Sequence, residues 1–285
     1  MSASSPERGA RPIAEHERSG VLHPARLARY SAGWIAPSQD VAEVVDEYWH
    51  VSWALEDGET LDQPIIDLPA ITLSFEAGDV PAALVITGVH ERAWFRTISG
   101  RGTVFGVRLR PAGLAVLSDL TPRDVADATV EVTADLDPRL AAFMQAIGVG
   151  PSPDATARAL DRAIAALIRD RGPSQLALLA NAVLDELRRS LHHRTGTTQT
   201  TRLGRSERTL QRALAGTVGR GPKWVARRIR LQEAARALVT RPNDDLATLA
   251  ADLGYVDQSH LTSDFHACAG ITPDAYRRAV RRAAG

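Results

Sequence analysis

Cysteine is almost missing from this chain: Cys268 is the single one in 285 residues. An intrachain disulfide is therefore excluded, and a reduced cytoplasm is the expected setting. Lysine is as scarce, Lys223 standing alone among arginines. A GC-rich coding sequence explains that bias, yet arginine also offers fork-shaped donors to phosphates and guanine edges. No run of about 18 apolar residues occurs, so no membrane span is expected. The first 20 residues are polar and charged without an apolar centre, unlike a secretory signal, and read as a disordered tail. Gly-x-Ser-x-Gly and phosphate-loop patterns are missing too. His50, His90 and Glu91 are too scattered to read as metal ligands. No catalytic residue, metal or cofactor is assigned.

What is present divides the chain in two. The formal net charge is zero, yet residues 190–285 hold 16 Lys+Arg against 8 Asp+Glu. The preceding residues carry the compensating acidic excess. A basic C-terminal half fits a polyanionic partner, and the length accommodates two domains.

The basic half says the same thing twice. Leu210, Leu214, Gly219, Pro222 and Val225 recur at an offset of 51 as Leu261, Phe265, Gly270, Pro273 and Tyr276. A fixed period marks a duplicated supersecondary unit. In the second copy, Leu246, Leu249, Ala250 and Leu253 are helically spaced and Gly254 ends the run. Asp257 then caps a helix with Leu261 and Phe265 inward, Gly270 stops it, and Pro273 starts the next. The first copy matches: Gly204 breaks, Ser206 caps, Gly219 stops and Pro222 restarts. Helix, glycine turn, helix is a helix-turn-helix.

Ser206-Glu-Arg-Thr-Leu-Gln-Arg212, Gly219-Arg-Gly-Pro-Lys223, Gly254-Tyr-Val-Asp-Gln-Ser-His260 and Gly270-Ile-Thr-Pro273 resemble the signature of AraC/XylS-type transcription regulators. The resemblance covers roughly the last 90 residues. It implies seven helices and two helix-turn-helix motifs joined by one long helix. The chain departs from that pattern at Ser263, where an arginine is usual, and at Thr197–Thr201, where a better helix-forming run is usual. Asp264, if it faced a groove, would repel phosphate.

Upstream, a helix opened by Ser38 is expected, with Val41, Val44, Val45 and Tyr48 as its apolar stripe. Strands are expected at 64–68, 70–75, 82–87, 93–99 and 103–109, a helix over 111–120 and a short strand at 129–132. Helices follow over 138–147, 154–169 and from Ser174 onward. The fold class is α+β: a small antiparallel sheet or barrel with helices, then an all-α double helix-turn-helix domain. The divisions are 1–20 tail, 21–134 sensor-like domain, 135–173 helical linker and 174–285 DNA-binding domain. Tyr48-Trp49 and Gly106-Val-Arg-Leu-Arg-Pro111 resemble a sensor domain often attached to such regulators, of unassigned ligand. Trp34, Trp49, Trp53 and Trp94 either line an apolar pocket or fill core and rim.

On the first recognition helix the outward stripe is Arg208, Gln211 and Arg212, positions where the resemblance places groove contacts. Arginine matches guanine O6/N7 and glutamine adenine N6/N7, each bidentate contact giving about 1–3 kcal/mol of discrimination. On the second, Gln258, Ser259, Thr262, Ser263 and His266 point outward, with Gln258 and Ser259 the readiest contacts. Arg227, Arg228, Arg230 and Arg236, on the helix between the motifs, read as phosphate contacts or surface charge. The expected partner is double-stranded DNA. A small-molecule effector, a homodimer and, for an activator, RNA polymerase are what the resemblance implies. Two other readings stay open: an enzyme domain fused to a DNA-binding module, and a non-specific architectural binder. Alkyl-transfer repair chemistry would need an N-terminal cysteine, and none precedes Cys268.

Overall fold

A computed structural model describes residues 11–12, 30–148, 150–190 and 202–284. The expectations for Thr197–Thr201 and for most of the N-terminal tail lie outside these residues. Seven antiparallel strands form the main sheet in the order β1 (Arg11–Pro12), β2 (Tyr30–Ile35), β3 (Val45–Ala54), β8 (Arg101–Leu109), β5 (Thr72–Gly78), β6 (Leu84–Thr87) and β9 (Thr129–Glu131). A separate two-stranded ribbon pairs β4 (Thr60–Ile65) with β7 (Trp94–Ser99). Alternating side chains give the sheet two working faces. One packs on helices, with the Tyr48 hydroxyl donating to Asp161 Oδ1 at 2.9 Å. The other meets the ribbon, where Trp53, Leu55, Leu61, Ile98 and Val104 form a small apolar cluster.

The helix expected from Ser38 does not form. Ser38 precedes only a 3-10 turn, Gln39–Val41, and the chain is strand from Val45. Val41, Val44, Val45 and Tyr48 are buried, so they are core residues, but their helical spacing is accidental. The run Tyr48 to Trp53 is rich in β-branched and aromatic residues, which suit a pleated surface. The helix expected over 111–120 shrinks to α1 (Leu114–Leu117). Asp137 explains why: its carboxylate accepts the Ser118 hydroxyl at 2.5 Å and the Asp119 N–H at 2.8 Å, holding the chain extended at Ser118. The strand expected at 64–68 is displaced to β4, whose pairing with β7 sets Leu61 opposite Ile98.

Three capped helices follow. α2 (Pro138–Ile147) starts on Asp137, α3 (Pro153–Asp170) on Ser152 and α4 (Gln175–Arg189) on Ser174. Each cap side chain accepts a first-turn N–H that would otherwise be orphaned. Their inner faces do not close a separate core. Leu140, Leu160 and Ile164 pack with Tyr48 and Phe105 of the sheet, and the same cluster runs on through Val183, Leu187, Leu210 and Leu214. Arg188 of α4 grips Asp46 through two 3.0 Å bonds. Asn181 donates to the Glu43 carbonyl and accepts from the Ala112 N–H. The sheet and the first helix-turn-helix motif are thereby built on shared packing.

Candidate nucleic-acid interface

The first motif presents α5 (Glu207–Thr217). Ser206 caps it by accepting the Thr209 N–H at 3.3 Å. Leu210, Ala213 and Leu214 are buried, while Arg208, Gln211 and Arg212 are exposed on the opposite side. Gly219 ends the segment with φ of +79°, a left-handed conformation open to glycine at little cost. Pro222 then occupies the first turn of α6 (Pro222–Thr240), where its missing N–H is not needed.

The second motif repeats this with α7 (Leu246–Asp252), α8 (Gln258–Ala269) and α9 (Pro273–Ala284). Asp257 accepts the His260 N–H at 2.8 Å, and Gly270 closes α8 with φ of +73°. Leu261, Phe265 and Tyr276 are fully buried. Gln258, Ser259 and Ser263 are exposed and Thr262 half-buried; with His266 and Thr272 they line one open polar groove. This face holds no charge at neutral histidine, so it suits hydrogen bonding more than phosphate attraction.

The helix between the motifs belongs to both cores. Val225 and Ile229 pack with the first motif; Leu231, Ala235 and Leu238 pack with the second. At 1.5 Å per residue, its 19 residues span about 28 Å.

Its arginines are not the free surface charges that the sequence suggests. Arg227 Nε lies 3.0 Å from Asp264, so that acid is matched and does not confront a groove uncompensated. The Arg227 guanidinium, despite burial, is pushed to a higher pKa by this partner. Arg236 pairs with Glu233, and Arg230 lies 5.2 Å over the Tyr255 ring. Lys223 remains exposed.

Arg228 overturns the expectation most fully. Its side chain is 2% exposed. It donates to the Asp67 carboxylate, to the Asp67 carbonyl at 3.0 Å, to the Arg92 carbonyl at 3.1 Å and to Cys268 Sγ at 2.8 Å. A sequence signal existed: Arg228 is three residues from Val225 and three from Leu231, on the apolar side of α6. Burial pushes the Asp67 carboxyl to a higher pKa, against the opposing pull of Arg228.

Around Arg228 the sheet domain touches both motifs. The Ala93 N–H donates to the Cys268 carbonyl in the last turn of α8 at 2.8 Å. Ile66 and Ala93 join the second motif's core. Arg220, just after α5, bridges Glu91 at 3.0 Å and Asp127 at 2.8 Å, and Trp224 Nε1 donates to Glu91. The C-terminal ends of both recognition helices thus abut the sheet domain, and their N-terminal halves carry the exposed polar residues.

Residues 199–279 match a family model described as a helix-turn-helix domain. The segment is an AraC-type helix-turn-helix domain, and the chain is a DNA-binding transcription regulator. Residues 34–131 of this regulator match a model described as a domain of unknown function, DUF6597. No curated protein sequence matches the chain. Among solved structures, ToxT from Vibrio cholerae in a P21 form is 7% identical, covering 81% of this chain and 98% of that chain at a TM-score of 0.40. ToxT with bound unsaturated fatty acid, from strain SCE256, is 9% identical, covering 81% and 94% at 0.40. Likeness that loose carries no argument about ligand or mechanism. Among the described residues, no helix is long and apolar enough to cross a membrane.

Proposed function

We propose that this regulator reads a specific duplex sequence with α5 and α8 in successive major grooves. Arg208, Gln211 and Arg212 make the base and phosphate contacts of one half-site. Gln258, Ser259, Thr262 and Ser263 make those of the other. The observation that carries this reading is the pair of capped helices, each apolar inside and polar outside, one preceding α6 in the chain and one following it. A rod of about 28 Å is compatible with grooves about 34 Å apart on one face of B-DNA. The sheet domain binds a small-molecule effector or a second copy of the chain, and its seam with both motifs conveys that event to the DNA-binding surface. Work in the cytoplasm, and contact with RNA polymerase if the protein activates, complete the proposal.

Selection of bound duplexes from a random pool tests it. Two short motifs, centred about one helical turn apart, are the expected enrichment. A pool that stays random after several rounds would replace the proposal with architectural, sequence-blind binding.

A further inference from the structure

The interior between the main sheet and the β4–β7 ribbon holds buried polar side chains beside its apolar cluster. Strand registers fix which side chains share it. Across the sheet, one row runs Ser74, Gly106, Trp49, Trp34, and the row beside it runs Glu76, Val104, Val51. On the ribbon, Gln63 stands opposite Arg96. Arg96 crosses to the sheet and holds Glu76 through two bonds, at 2.9 and 2.5 Å. Glu76 is 3% exposed and Gln63 is 4% exposed. Toward one end, Trp53, Leu61 and Ile98 close the space with apolar contacts. Toward the other, Trp34, Trp49 and Trp94 are only half-buried.

Gln63 is the informative residue. Both its amide oxygen and its amide nitrogen are buried, and neither makes a hydrogen bond to the protein. Trp34 Nε1 is likewise buried and unpartnered. A buried amide left unpaired is destabilising, and an apolar side chain such as leucine would remove that cost. A donor and an acceptor carried side by side at such a position fit a molecule presenting the complementary pair.

We infer that this interior is a ligand site for an uncharged planar compound with a donor beside an acceptor, such as a carboxamide or lactam on an aromatic ring. Charge decides against ions. Glu76 and Arg96 neutralise each other, and Arg108 is held by Glu47 at 2.9 Å and lies 5.1 Å over Trp34. An ionised ligand would lose its hydration without gaining a free counter-charge. The indoles of Trp34 and Trp49, with centroids 6.5 Å apart and planes at 53°, supply an aromatic wall for a flat ring. The Trp49 ring lies over Gly106, where a Cβ would come within 2.1 Å of it, so the glycine sets where that wall stands. This inference rests on the proposal that the sheet domain receives an effector.

The test uses the full chain with 2-pyridone and benzamide as neutral probes and benzoate and benzylammonium as charged ones. Indole and side-chain amide resonances of labelled protein report binding. Millimolar neutral probes should shift the Trp34 indole and Gln63 amide signals, with both charged probes at least tenfold weaker. Gln63→Leu should weaken neutral binding at least tenfold while leaving the thermal midpoint equal or higher. Neutral probes without effect, or charged probes binding equally, would overturn the site. A Gln63→Leu chain that binds normally would overturn the role of the amide. Retention of these shifts with no change in DNA affinity would uphold the site and sink the effector reading separately.

Discussion

Arg227 and Asp264 lie 3.0 Å apart, one on the rod joining the two motifs and the other on the second recognition helix. The pair locks α8 to α6 and neutralises one positive charge beside the surface we propose for DNA. Asp264→Asn should free that guanidinium. The expected result is a salt dependence of DNA binding steeper by about one phosphate equivalent, measured by titration across ionic strengths. An unchanged slope would mean that Arg227 cannot reach the duplex.

Arg212 has no apolar role, since its side chain stands outside the core of α5. Arg212→Ala should lower affinity for the selected operator about tenfold or more, consistent with about 1–3 kcal/mol for a bidentate base contact. Affinity for random duplex should change little. Equal losses on both would assign Arg212 to phosphate.

The Arg228 hub predicts a stability effect from a residue that touches no DNA. Removing one partner of a buried ion pair strands the other, at a cost of about 3–5 kcal/mol. Arg228→Leu should therefore lower the denaturation midpoint strongly. Adding Asp67→Asn should recover part of the loss, because the stranded carboxylate is then neutral. A double mutant with strictly additive losses would show that the two side chains are not coupled.

Acid should unfasten α4 from the sheet. Burial opposes ionisation of Asp46, but Arg188, Arg108 and Arg110 outweigh it and hold the carboxyl below its usual range. A folded pKa below the unfolded value of about 3.9 stabilises the fold above that value. The contribution is lost as pH falls through the lower folded pKa. Asp46→Asn should accordingly be less stable at pH 7 and show a flatter stability profile below about pH 4, by denaturation at stepped pH.

The DNA-binding half was legible because its signals are local. Ser206 and Asp257 cap, Gly219 and Gly270 stop, and leucines recur at fixed offsets; each depends on neighbours a few residues away. The sheet domain was less legible at Ser38, where Val41 to Tyr48 mimic a helical stripe although the chain turns and extends. Strand existence was readable at 93–99 and 103–109, but the partition into a seven-stranded sheet and a ribbon depends on pairings between distant residues. Arg228 escaped notice for the same reason. Its partners Asp67 and Arg92 lie more than 130 residues away in sequence, and only its position on the apolar side of α6 hinted at burial. The Gln63 amide carries no sequence signal at all, since its isolation follows from register.

The bond from the Ala93 N–H to the Cys268 carbonyl is made by main-chain atoms alone. Side-chain drift at either position therefore leaves it standing, and only a proline at 93 or a shift of the loop would break it. A tether of this kind is blind to residue identity: the outer surface of each recognition helix could be rewritten for a new operator while the line running back to the sheet stays intact.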